Sequence, residues 1–358
     1  MPRDLRSTRS SSSSRSSPSA RSILELRGGV TVDDYVADIA WSPDATQLAV
    51  AGGEGHVYLV AAGAAALEAR QVGAHGLGAL AVAWQPDGDR FVSCGQDSRL
   101  RLYASSGVAI AERKPSPQAT QCLAWSPDGR QLATAAGKQA SLWTATLEPG
   151  PALATLDTAI AALAWDKAGR DLAAAINGGL VVQRLEPRAP LRNFPWKAPC
   201  LTAAFSPNGR FLATGTQDGA VHFWHMSTGR DSQMRGYPGK VGETVWSADS
   251  RYLATAADDQ VVIWDFSGKG PEGSRPLQLR GHTDRIECLA FQPGGNFLVS
   301  GGRDWRVALW LPGKSATALD AQLAASAPSC LRWSPDGRLL AVGEARGNLT
   351  IFELVRLA

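Results

Sequence analysis

Hydrophobic and polar positions along this chain alternate in short runs, each closed off by turn residues. The clearest stretch lies between Pro276 and Leu311. Pro276–Arg280 alternates apolar and polar side chains, Ile286–Phe291 forms a second run, Asn296–Ser300 a third and Arg306–Trp310 a fourth. Gly281-His282, Gln292-Pro-Gly-Gly295 and Gly301-Gly-Arg-Asp304 separate them, and such residues reverse the chain direction. Four short antiparallel strands are therefore predicted.

The phrase that ends the second run recurs. An aromatic residue followed by Ser-Pro-Asp-Gly, or by a worn copy, starts at Trp41, Trp84, Trp125, Trp165, Phe205, Trp246, Phe291 and Trp333, with spacings of 40–45 residues. A fixed period of that length marks a repeat array, and four strands per repeat indicate the blade of a β-propeller. The register extends beyond the phrase. Nine residues after the anchor stand Ser93, Thr134, Thr214, Thr255 and Ser300. Thirteen after stand Asp97, Asp218, Asp259 and Asp304, and an aromatic closes most fourth strands, at Tyr103, Trp143, Trp224, Trp264, Trp310 and Phe352. Copies one and four have neither the Ser/Thr nor the aromatic. The fold expected is all-β, a single closed propeller of four-stranded antiparallel blades. Eight blades are predicted, with seven as the alternative if copy one or four is not a blade.

In copy seven Gly281-His282, Phe291-Gln-Pro-Gly-Gly, Ser300, Asp304 and Trp310 resemble the WD40-repeat family. Copy two does so through His75, Trp84-Gln-Pro-Asp-Gly, Ser93, Asp97 and Tyr103. A literal Trp-Asp pair occurs in copy six, Trp264-Asp265. The resemblance covers about residues 22–358. It implies that each sequence repeat opens with the outer strand of the preceding blade. Ile23–Arg27 is then an orphan strand that pairs with Leu349–Glu353 and closes the ring, removing an aggregation-prone sheet edge. The resemblance also implies buried hydrogen-bond networks: His75, Ser93, Asp97 and Tyr103; His282, Ser300, Asp304 and Trp310; and Thr214, Asp218 and Trp224 in copy five. Trp196 and Tyr237 take the His position in copies five and six, where packing is expected to replace hydrogen bonding.

Composition narrows the setting. Apolar residues make up 44%, enough for a sizeable core. No stretch approaches the roughly 18 apolar residues of a membrane span, and the N-terminus lacks the apolar centre of a secretory signal, so no membrane partner is expected. Five scattered cysteines without a C-x-x-C pair favour a reducing, cytoplasmic location. Residues 1–21 are Ser-rich and carry Arg3, Arg6, Arg9, Arg15 and Arg21 against Asp4. This segment is expected to be a disordered tail, with the propeller spanning 22–358. The chain's net charge is only +3, so the propeller is close to neutral and lacks the basic footprint of a nucleic-acid-binding domain. A nucleic-acid-associated role through the tail is the second alternative function.

Candidate chemistry is thin. Ser, His and Asp recur together, but at blade spacing and with an aromatic, which points to structure and not to a hydrolase triad. Gly268–Gly273 fits a dinucleotide glycine pattern without the helix that pattern needs, and Gly313-Lys314-Ser315 lacks the upstream glycine of a phosphate loop, so no cofactor is expected. His222 and His225, three apart on a strand, point to opposite faces and predict no metal. Cys122, Cys288 and Cys330 lie three residues before their anchors, where Ala81 and Ala162 stand in other copies; these read as small packing positions.

Function must then come from a surface. Positions six and four before the anchor, and twelve after it, should open on one face. Most copies place small residues there. Copies six and seven place Lys240, Asp258, Arg285, Glu287 and Arg303, with Trp305 in the same turn as Arg303; Tyr35, Gln96 and Gln217 are larger residues elsewhere on the face. Trp and Arg are enriched at interface hot spots, and paired arginines suit a carboxylate or phosphate. The expectation is a non-enzymatic, monomeric scaffold that docks a protein or peptide there. A small-ligand or catalytic propeller using the central channel is the alternative.

Overall fold

The computed structural model describes residues 22–33, 35–63, 66–186, 188–268 and 270–355. The predicted tail, 1–21, lies outside them. Regular structure among the described residues is entirely β. It forms eight antiparallel sheets, one per anchor phrase, so the seven-blade alternative is excluded.

Blade 7 shows the plan: Ile286–Phe291, Leu298–Gly302, Arg306–Trp310 and Asp320–Leu323 pair in that order. The two poorest copies, one and four, are blades nonetheless, copy one with four paired strands. In blade 4 the second and third strands form one span, Asp171–Arg184, which turns back at Gly178 and Gly179 (φ +107° and +135°) so that Leu185 N–H donates to Arg170 O at 2.8 Å. Blade 3 has three regular strands, and its outer edge is an irregular segment joined by bridges at Gln139–Thr155 and Trp143–Pro149.

The anchor phrase makes the hairpin between the first two strands. In copies one, three, five, six and eight the Ser hydroxyl donates to the Asp or Asn side chain two residues on and accepts the N–H five residues on, as Ser42 does with Asp44 (2.6 Å) and Gln47 (2.9 Å). Copies two and seven have Gln instead. Gln85 and Gln292 reach forward to the carbonyls of Gly129 and Gly337 in the next blade, each at 2.8 Å. The anchor indoles reach backward. Trp41, Trp125, Trp165, Trp246 and Trp333 donate to carbonyls of the preceding blade's inner strand at 2.8–3.3 Å. Thus one phrase both turns the strand and staples neighbouring blades.

The inner strands touch in unbroken order around the ring, blade 8 against blade 1 included. The core lies in the seams between blades. Phe211, Phe223, Trp246 and Phe266 fill the seam of blades 5 and 6, while Leu289, Ala308, Trp310 and Ile263 fill that of 6 and 7. The seam between 3 and 4 is the thinnest and is split into two small clusters rich in alanine.

Closure follows the offset expected from the repeat. Leu24–Thr31 is the outer strand of blade 8 and pairs with Asn348–Leu354, from Leu24 opposite Leu354 to Thr31 opposite Asn348, with a bulge between Leu26 and Gly28. The sheet that completes the ring therefore takes strands from both ends of the chain.

Candidate functional site

The Ser–His–Asp sets are structural. In blade 7 the Trp310 indole donates to Ser300 Oγ at 2.8 Å. The serine proton is then free for His282 Nε2, at 2.7 Å, which leaves the ring proton on Nδ1 facing Asp304 at 2.9 Å. Proton order matches that of a hydrolase triad, yet Ser300 is fully buried and its oxygen already accepts the indole, so no substrate can reach it. Asp304 also accepts the N–H groups of Thr283 and Arg306, which fixes both turns.

Blade 2 keeps His75 between Asp97 and Ser93, both at 2.8 Å. Burial opposes ionisation of Asp97, but hydrogen bonds from His75, Arg99 and Arg101 outweigh it and hold its pKa at about 2. Tyr103 does not extend this network: its hydroxyl is buried against Gly73 and has no hydrogen-bond partner among the described residues. Blade 5 departs further. The Thr214 hydroxyl donates to Gly215 O, Asp218 accepts from Thr216, and Trp224 packs at a tilt against His222 (4.4 Å between ring centres), which Trp196 covers at 3.9 Å. Without an imidazole at the Trp196 position no relay forms. Blade 6 corrects the opposite expectation. There Tyr237 replaces the imidazole chemically, its oxygen 2.6 Å from Thr255 Oγ1 and 2.7 Å from the Trp264 indole nitrogen.

The position three before the anchor is not reserved for small residues. Asp38 and Glu243 occupy it in blades 1 and 6, and Arg332, one before its anchor, reaches Asp38 at 2.9 Å. Asp38 also accepts the Val82 N–H of the next blade's inner strand, at 3.3 Å. These groups line the channel, where each inner strand leaves its channel-facing edge unpaired. Burial pushes the Glu243 carboxyl up to about 7 despite Arg332, and pushes the Cys330 thiol up to about 12. The signal was legible in the register, because Asp38 and Glu243 align with the cysteines.

On the face itself, Lys240, Asp258, Arg285 and Glu287 line one pocket of about 270 Å³ between blades 6 and 7, with Glu243 beside them. Glu287 binds Arg303 at 2.5 Å and lies 3.6 Å from Arg285, so both arginines share one carboxylate. Trp305 stands apart from this pocket, over Arg346 of blade 8 at 5.6 Å, and is 43% exposed. Its carbonyl accepts the Ala324 N–H, next to Leu323, itself 76% exposed. Trp305 has φ +64°, at a turn position that Gly55, Gly219 and Gly347 occupy in blades 1, 5 and 8. Tyr35 lies at the blade 1–8 seam near Ser329, whereas Gln96 and Gln217 are exposed on blades 2 and 5, outside the pocket.

Fold and face together define a closed, eight-bladed repeat propeller whose recurrent polar residues serve its turns. Six stretches, 69–104, 117–144, 189–225, 232–265, 273–310 and 317–353, match the WD40 family (WD domain, G-beta repeat), more than half of the chain, and the protein belongs to that family. Five of the stretches take in the outer strand of one blade and end in the next, 117–144 begins after the outer strand of blade 2, and the first and fourth anchors lie outside all six. Pre-mRNA-processing factor 19 homolog 2 of Arabidopsis thaliana is 29% identical over 169 residues, 42% of this chain and 29% of that protein. THO complex subunit 3 of the same plant is 28% identical over 34% of this chain and 39% of its own length. WD repeat-containing protein 1 of Gallus gallus is 25% identical over 65% of this chain and 46% of its own length. The chain spans less than half the length of each of these relatives. The computationally designed Ika8 protein superimposes with a TM-score of 0.74 at 17% identity, covering 93% of this chain and 100% of Ika8, a likeness of fold. Among the described residues no helix is long and apolar enough to cross a membrane.

Proposed function

We propose that this propeller is a non-enzymatic scaffold that docks a protein or peptide on the blade 6–8 sector of the face carrying Lys240, Asp258, Arg285, Glu287, Arg303 and Trp305. The observation that carries the reading is Trp305. A bulky side chain in the left-handed region is strained, and such strain persists where something other than stability selects it. Here it holds an indole in solvent beside exposed Leu323, with Arg303 next to it in the turn and Arg346 beneath the ring. An apolar anchor within a charged rim is the arrangement of an interface hot spot. An acidic partner group would have to displace Glu287 from the arginines, which favours partners that bring a carboxylate together with an apolar residue. The names of the relatives, a THO complex subunit among them, support a life in assemblies. Five free cysteines, four of them buried, support a reducing, cytoplasmic location.

The test separates fold from function. Trp305→Gly relieves the backbone, so the melting temperature should stay level or rise, while the partners captured by tagged wild-type protein, quantified by mass spectrometry, should be lost. Arg303→Ala should weaken the same captures. Retention of every wild-type partner by Trp305→Gly would sink the reading.

A further inference from the structure

We propose that Asp33, Glu54 and His56 form a binding site for one divalent transition-metal ion, of Zn²⁺ character, at the seam where the ring closes. The three residues come from two turns of blade 1 that meet on the same face: the connection entering Val36–Trp41, and the tight turn between Gln47–Gly52 and His56–Ala61. One ligand atom from each lies within 4.8 Å of the others. His56 Nδ1 is 2.7 Å from Asp33 Oδ1, which also accepts the Tyr58 hydroxyl at 2.5 Å.

The second carboxylate oxygen of Asp33 is the independent observation. The Asp33 side chain is only 3% exposed, yet Oδ2 has no hydrogen-bond partner among the described residues. A buried anionic oxygen left unpaired is costly, and a cation is the partner that satisfies it. The surroundings keep space for that oxygen: a Cβ on Gly52 would stand 2.1 Å from it. The Tyr58 hydroxyl donates to the other oxygen, Asp33 Oδ1. It therefore orients the carboxylate from behind, as outer partners of metal ligands do. Glu54 is exposed and His56 half-buried, so both can rotate to the ligand distances of about 2.0–2.2 Å that zinc requires. One imidazole and two carboxylates suit Zn²⁺ better than Ca²⁺ or Mg²⁺, which take oxygen alone. Three protein ligands leave one position open toward the face on which partners would dock.

The site also touches closure. Val32 N–H donates to Gly347 O at 2.8 Å, tying this connection to the last blade. An ion bound to Asp33 would hold the N-terminal crossing in place.

The experiment is calorimetric titration of untagged, metal-stripped full-length protein with zinc chloride, repeated on Glu54→Gln and His56→Gln. Wild type should bind one ion per chain, and saturating Zn²⁺ should raise its melting temperature. Each variant should fold as wild type does without metal and bind at least about tenfold more weakly. Absence of binding, or equal affinity in wild type and both variants as cysteine-bound zinc would give, overturns the site.

Discussion

Asp320 Oδ2 accepts the Leu24 N–H at 2.7 Å, joining the outer strand of blade 7 to the strand that completes blade 8. The same oxygen accepts the Ile23 N–H at 2.6 Å and the Ser22 hydroxyl at 2.7 Å. Burial opposes ionisation of Asp320, but these donors outweigh it and hold its carboxyl below the ordinary range. Asp320→Ala leaves two backbone donors without their acceptor and should cost about 1–3 kcal/mol at neutral pH. A depressed folded pKa contributes stability above the unfolded value of about 3.9, which is lost as pH falls through the folded value. The gap in melting temperature between wild type and variant should therefore be full at pH 7 and close below about pH 4.

Removing residues 22–28 tests closure as a whole. The deletion exposes the edge of Asn348–Leu354 and strips Ile23 and Leu24 from the blade 7–8 core. The melting temperature should fall steeply and the protein should self-associate in light scattering; an unchanged melt would refute closure by this strand.

Ser300 and Thr214 occupy equivalent positions but not equivalent networks. Ser300→Ala strands the Trp310 indole and His282 Nε2 inside the fold, at about 1–3 kcal/mol. Thr214 gives its proton only to the neighbouring Gly215 carbonyl, so Thr214→Ala should cost clearly less by urea denaturation.

Glu243 should make the channel pH-sensitive. Its folded pKa, about 7, lies above the ordinary glutamate value of 4.5 because burial disfavours the charge. Between those values the folded chain keeps a proton that the unfolded chain has released, so this group lowers stability as pH rises toward 7. Glu243→Gln should melt higher than wild type at pH 8 and equally at pH 4. The opposite order would show that Arg332 governs the group instead.

The blade 3–4 seam should open first. Its clusters are small and alanine-rich, and blade 3 lacks a regular outer strand. Native-state hydrogen exchange should be faster at Gln139–Thr144 than at Arg306–Trp310.

Blade count and the closing strand could be read from the repeat alone. Both follow from period and register, and register is largely a local property: in five of the eight copies the anchor phrase makes its own hairpin with side chains two to five residues away. The phrase also marked Trp305 as a candidate, because a position in a repeat can be compared with its equivalents. Tertiary structure decided which equivalents interact. Thr214 and Ser300 align along the chain, but only the residue folded against them, Trp196 or His282, determines whether a relay exists. Asp33, His56 and Tyr58 belong to no repeat pattern and meet only because two loops of blade 1 fold together, and Asp38 faces Arg332 only because the two ends of the chain meet in a ring. Contacts within a repeat are set by spacing; contacts across a seam are set by closure.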